Sequence, residues 1–569
     1  MERPGNPPPM SPEPPRGILI RLQGGDPFEV PPGMPVRALC DRLPPPDGLA
    51  WLGALVNNEV VTLSYPLEID SDVTLLTMCD GRGWRIYRSS VAFLLAKVVR
   101  ELHPGARFAV EHSLGYGFYC SFATAGGESL PAGALDRVRE RMRDLVANDL
   151  PIERRKIAFA EALRRFEEAG QHDKYDLLRF RNPPKVVVYD CAGFTDLAHS
   201  VLADRTGALG HFDLIPHPPG FVLQFPDRAR APALAPFDPQ PFLFRIFAEH
   251  KEWGRILGLR TVGDLNRMIA ERQADEIVRI AEALHEKTIA RLADRILGQQ
   301  PGTRWIFIAG PSSSGKTTFA KRLAVQLRVN GLRPVAISVD DYFVDRDRTP
   351  RDEAGELDFE HIETVDLELF NGHLARLDAG EEVELPSFNF AEGRREFRGR
   401  TLRIGSDELV LVEGIHCLNP QLGSGLPAAH SFRIYVSALT QLNLDEHNRI
   451  ATTDNRLLRR LVRDHQFRGH NALKTLGMWP SVRRGEKRWI FPFQNEADAA
   501  FNSALDYELA VLKLLAEPLL KEVKPYHAQY AEARRLMTFL DSFLSLPYGH
   551  VPPTSILREF IGRSSFRYA

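Results

Sequence analysis

Residues 303–327 read TRWIFIAGPSSSGKTTFAKRLAVQL: an apolar run, a Gly/Ser-rich turn, then apolar residues at helical spacing. Gly310–Thr317 fits GxxxxGK[ST] between a strand and a helix, the setting in which that spacing has chemical meaning. Gly310 and Gly315 permit a tight backbone, so the loop can wrap a phosphate while the helix presents its positive N-terminal end. Lys316 is placed to reach the outer phosphates and the Thr317 hydroxyl to ligate Mg²⁺. The predicted nucleotide-binding set is Gly310, Pro311, Ser312, Ser313, Ser314, Gly315, Lys316, Thr317 and Thr318, with ATP and Mg²⁺ as expected cofactors.

Downstream, RPVAISVDDYF, ELVLVEGI and SFRIYVSA are short apolar runs with helical stretches between them. This alternation predicts a doubly wound α/β domain with a parallel sheet over residues 301–569, closed by a C-terminal helical extension. Gly298 and Pro301 mark its entry. Asp340 and Asp341 follow one strand and Glu413 ends another, where open α/β sheets place their ligand crevice. One of the aspartates could accept a proton from a hydroxyl, or both could cap the next turn; Glu413 suits the metal side. In RLLRRLVRDHQFRG, Arg456, Arg460 and Arg463 share a helical face, an arrangement suited to an anionic partner or to a solvated basic surface. Arg468 and Gly469 should end that helix, as in a mobile lid.

The rest of the chain divides into smaller units. Its 569 residues predict three or four domains. Residues 1–15 (MERPGNPPPMSPEPP) have the composition of a disordered tail, and residues 16–80 alternate short strands with one helix like a β-grasp module. Residues 84–237 read as an α+β domain. Residues 238–300 read as a helical linker, with Ile277, Ile280, Ala281, Leu284, Ile289, Leu292 and Ile296 in one apolar stripe. Lys plus Arg is 72 against 74 Asp plus Glu, so no global basic field recruits nucleic acid. Five cysteines without CxxC spacing point to a reducing compartment, and the absence of a long apolar run points away from a membrane. The expected location is cytoplasmic.

Residues 303 to about 525 resemble the uridine kinase and phosphoribulokinase family through GPSSSGKTT, SVDDYF, LVEGI and RRLVRDHQFRG. The resemblance implies ATP-dependent phosphorylation of a hydroxyl on a nucleoside or ribose-containing small molecule. It assigns catalysis to Asp340 as general base with Lys316, Arg463 and Arg468, and the metal to Thr317 and Glu413. The acceptor falls to Asp340, Glu360, Phe388 and Arg460. Phe388 stands where the family carries a base-contacting tyrosine, Gly393 where it carries a base-reading histidine, and His470 replaces a lid arginine. These departures put uridine in doubt, and Arg483, Arg484 or Lys487 beyond the lid could supply substitute contacts. A sugar phosphate is the alternative acceptor.

Residues 17–80 resemble a TGS domain, and residues 84–237 resemble the editing-type second domain of threonyl-tRNA synthetases through SSVAFLLAKVVRELHPGARFAVEHSLGYGFYCSF and GFTDLAH. That family builds its editing site from HxxxH and CxxxH pairs. Ser89, Phe93, Ala198 and Leu202 stand in those places here, which implies a scaffold without deacylase chemistry, with His112 and His199 structural. RNA contact through residues 16–237, with the P-loop domain as a nucleotide switch, is the alternative function.

Overall fold

A computed structural model describes residues 17–568 except 125, 128–132, 354 and 391. The expected tail at 1–15 lies outside the described residues. The C-terminal half is built on a five-stranded parallel sheet ordered Arg333–Ser338, Glu408–Glu413, Trp305–Ala309, Ser431–Ser437, Ala499–Asn502. Alternate residues of each strand face opposite layers. Ile306, Ile308, Leu409, Leu411, Phe432 and Ile434 enter one core, while Trp305, Phe307, Val410, Val412 and Tyr435 enter the other. Both faces are covered, which explains why these strands read as unbroken apolar runs rather than alternating ones.

The helix Lys316–Val329 covers the first face, packed on the helix Ala274–Leu297. Residues 238–300 are helical as expected, but this last helix does more than link. Ile277, Ile289, Leu292 and Ile296 are buried in the same core as Phe319, Leu323 and Phe501. Arg322 pairs with Glu282 and Glu286 across the two helices.

The helix Thr452–Arg468 lies in this core too, burying Leu457, Leu458, Leu461 and Val462, and it ends at Gly469 with φ 63°. A residue there must enter the left-handed region, which glycine does at least cost. Among the described residues, no helix is long and apolar enough to cross a membrane.

The front half holds two smaller units. In the first, Ile18–Leu22 pairs parallel to Ser71–Leu76 at the centre of a five-stranded sheet. Its helix, Arg37–Cys40, is a single turn that buries Leu39. The second packs the helix Gly81–Leu102 on the antiparallel sheet Asp213–His217, Gly220–Gln224, Gly117–Ala123, Arg107–Leu114.

Candidate active site

The phosphate loop is held from outside by the helix Thr452–Arg468. Arg456 Nε donates to the Ser312 carbonyl at 2.9 Å, Arg460 Nη1 to the Ser312 hydroxyl at 2.8 Å, and Arg459 Nη1 to the Ser313 carbonyl at 3.5 Å. The Ser313 and Ser314 hydroxyls are buried without partners among the described residues. Gly310 is required by contact, since a Cβ there would sit 1.9 Å from the Val436 carbonyl oxygen. Gly315 is required twice, by φ 83° and by Ile556, whose Cγ2 would lie 2.5 Å from a Cβ.

The acidic side forms where neighbouring parallel strands end. Thr317 and Ser338 both donate to Glu413 Oε1, at 3.4 and 3.3 Å. Burial raises the Glu413 carboxyl to about 7, with the charge of Asp340 adding and Lys316 opposing. Asp340 follows the strand Arg333–Ser338 on a short 3₁₀ turn; burial raises its pKa against the pull of Lys316, Arg468 and Arg463. Thr317, Glu413 and Asp340 offer only hard oxygen donors, the set that suits Mg²⁺ sharing its shell with phosphate and water. The donor chemistry fits the metal.

Opposite these acids the lid presents more cations than it can neutralise. Arg463 donates to Asp464 Oδ1 at 2.7 Å, Arg460 pairs with Asp464 at 3.2 Å, and Arg468 lies 3.8 Å from it. One carboxylate thus faces three guanidiniums. Arg463 and then burial bring Arg468 down to about 10. Such crowding suits an anionic ligand, and the phosphate loop lies beside it.

Arg456 departs from the phosphate-facing role its spacing suggested. It is fully buried against Glu486, and that carboxylate takes up its charge. Arg459, which pattern reading passed over, is equally buried and tied to Glu508 at 2.8 Å and to the Ser503 carbonyl at 2.7 Å. Arg483, Arg484 and Lys487 are also committed elsewhere, to Glu486, Asp352 and Asp227. Their helix, Ala472–Trp489, is braced by these pairs rather than offering free contacts to a substrate.

Glu360 is only 6% exposed and its Oε2 has no partner among the described residues; burial raises its pKa, with Arg460 and then Lys316 opposing. Phe388 stands in an aromatic cluster, 5.6 Å from Phe343 and 5.1 Å from Phe390, and Arg468 lies 5.6 Å over the Phe390 ring. Gly393 has φ 71°, and a Cβ there would fall 2.7 Å from the Arg346 guanidinium. The space beside Gly393 is filled by Arg346, which donates to the Phe390 carbonyl at 2.8 Å.

In the front half, Phe93 and Leu202 are buried core residues, with the Phe93 ring 5.3 Å from Phe194. His112 stacks on Phe247 at 3.8 Å, and burial keeps it neutral. His199 reaches Asp445 of the C-terminal half at 3.2 Å. Asp445 belongs to a junction: the hairpin Asn443–Arg449 lies against the strand Arg107–Leu114, with Glu446 accepting from the Val110 N–H at 2.8 Å. Fully buried Lys174 lies 3.0–3.5 Å from Asp173, Asp196 and Asp445, and His447 bonds Asp196. Burial opposes the Lys174 charge, but the three carboxylates outweigh it and raise its pKa.

A parallel sheet of this order, with a phosphate loop after its central strand, is the arrangement of a P-loop domain. Residues 305–510 match the model of the Phosphoribulokinase / Uridine kinase family. The front of the chain is similar to threonine–tRNA ligases. It is 29% identical over 199 residues to that of Acetivibrio thermocellus, covering 35% of this chain and 31% of the relative. To that of Porphyromonas gingivalis it is 32% identical over 164 residues, covering 29% and 25%. The chain therefore spans less than a third of the length of these curated relatives. Among solved structures, a candidate fructose transport system kinase from Silicibacter sp. is similar at 22% identity, 37% of this chain, 98% of that chain and TM-score 0.28. A candidate uridine kinase from Bacillus stearothermophilus is similar at 19%, 38%, 97% and 0.27.

Proposed function

We propose that the protein is an ATP-dependent kinase that phosphorylates a hydroxyl of a nucleoside or other ribose-containing small molecule. The observation that carries the reading is the opposition of charges. Lys316, Arg463 and Arg468 all act on Asp340, and Arg460, Arg463 and Arg468 share the carboxylate of Asp464. Asp340 is the group to take the acceptor's hydroxyl proton, and Lys316 with the lid arginines stabilises negative charge on the transferring phosphoryl group. Thr317 and Glu413 are the residues to hold Mg²⁺, which neutralises phosphate charge when bound. Glu360, with an unpartnered oxygen, supports recognition of a polyhydroxyl acceptor, and the aromatic cluster around Phe388 supports a flat or apolar portion.

The test is ADP release by the full chain with ATP and Mg²⁺ over a panel of nucleosides, pentoses and pentose phosphates, with Lys316→Ala as blank. Stimulation by one acceptor is expected, and a pentose phosphate giving the signal would move the reading to the sugar-phosphate class. Silence from every acceptor while ATP binds would overturn the kinase reading in favour of a nucleotide switch, for which salt-sensitive RNA binding by the full chain is the next measurement.

A further inference from the structure

Thr318 stands in the first turn of the phosphate-loop helix, where N–H groups lack intrahelical partners and attract anions. An anion is already there. The Thr318 N–H and hydroxyl both donate to Glu559 Oε2, at 3.0 and 2.6 Å, and the hydroxyl also lies 2.9 Å from the Tyr568 hydroxyl. Glu559 comes from 241 residues downstream. It is not a loose tail residue, because its neighbours Ile556, Leu557 and Phe560 are fully buried, Ile556 lies against Gly315, and the Arg459 guanidinium sits 5.0 Å over the Phe560 ring. Glu559 also adds its charge to that of Asp340 in raising the Glu413 carboxyl, an effect led by burial, so it faces the same acidic centre.

One helix end cannot give the same two donors to a carboxylate and to a phosphate. Like charge would also repel a phosphate seated beside an ionised Glu559. We propose that Glu559 is a built-in competitor for phosphate at Thr318: an affinity-setting residue that holds the donors in the empty site, weakens nucleotide binding, and turns its carboxylate aside when the nucleotide seats. The backbone carrying it stays fixed in the core while the side chain moves. The inference rests on the reading of Gly310–Thr318 as a nucleotide site.

The experiment is calorimetric binding of ADP and of adenosine to the full chain, its Glu559→Gln and Glu559→Ala variants, and Lys316→Ala. Gln keeps the shape and a hydrogen bond but loses the charge, so ADP should bind about fivefold tighter; Ala loses both, for about tenfold. Adenosine, with no phosphate to compete, should bind all three Glu559 forms alike, whereas a merely structural role would move both ligands together and overturn the proposal. Should Glu559→Ala fail to fold, Glu559→Gln carries the test alone. If Lys316→Ala binds ADP as the parent does, the nucleotide-site reading falls and takes the proposal with it. Where Lys316→Ala loses ADP but the Glu559 variants bind it no more tightly than the parent, the proposal alone is overturned.

Discussion

Two clusters of buried charge in this molecule look alike in composition and differ in closure. At the junction, Lys174, Asp173, Asp196, Asp445, His199 and His447 satisfy one another across two domains. At the phosphate loop, Arg460, Arg463 and Arg468 share Asp464, Glu360 keeps an oxygen without a partner among the described residues, and Asp340 adds to the cost of ionising Glu413. The junction is closed in its hydrogen bonds rather than in its net charge: one ammonium meets three carboxylates, yet among the described residues none of its side-chain polar atoms is left buried without a partner, and such a cluster is structure. A cluster with cations left on one side and acids on the other is suited to a charged ligand, which would complete it.

Substitutions should therefore part activity from stability. Asp340→Asn is expected to lower turnover about a thousandfold while nucleotide affinity stays within a few fold, as read by steady-state rates beside calorimetry. Lys174→Ala leaves three buried carboxylates facing one another and should cost about 3 kcal/mol of stability in denaturant unfolding. An unchanged midpoint there would erase the contrast between the clusters. Arg468→Ala should do the reverse, lowering kcat about thirtyfold with no loss of melting temperature, because it relieves the crowding by Arg463.

The smallest effect is pH dependence at the junction. Burial raises the Asp445 carboxyl, but Lys174, then His199 and His447, more than reverse this and hold it below the ordinary range. A depressed carboxylate stabilises above its unfolded pKa, and that contribution is lost as pH falls below about 4. Comparing acid unfolding of the parent with Asp445→Asn should show the parent losing more stability over that range, and parallel curves would contradict the assignment.

The parts of the site legible in sequence are those whose chemistry is local. Gly310–Thr318 is contiguous, and Asp340 and Glu413 announce themselves at the ends of apolar strands, because a parallel sheet buried on both faces must spell itself in unbroken apolar letters. Arg456 misled because its spacing matched Arg460 and Arg463, whereas its role is set by Glu486, 30 residues on. Arg459 and Glu508 are separated by 49 residues, and no local pattern marks a guanidinium as fully buried. The apolar stripe from Ile277 to Ile296 is legible as one helix face; that it is buried in the same core as Phe319, Leu323 and Phe501 is a fact of tertiary packing, invisible to periodicity.

The hairpin Asn443–Arg449 makes the molecule hard to divide. It leads into the helix carrying the lid arginines, yet its Asp445 and His447 complete a cluster whose other members belong to residues 173–199. A gene cut between the halves would release a C-terminal fragment whose Asp445 has lost Lys174 and His199, and a front fragment whose Lys174 keeps Asp173 and Asp196 but loses Asp445. The two halves are thus not cargo on a common string. Selection acting on either must preserve a shared seam, and any exchange of the front module for another has to bring a replacement for Lys174.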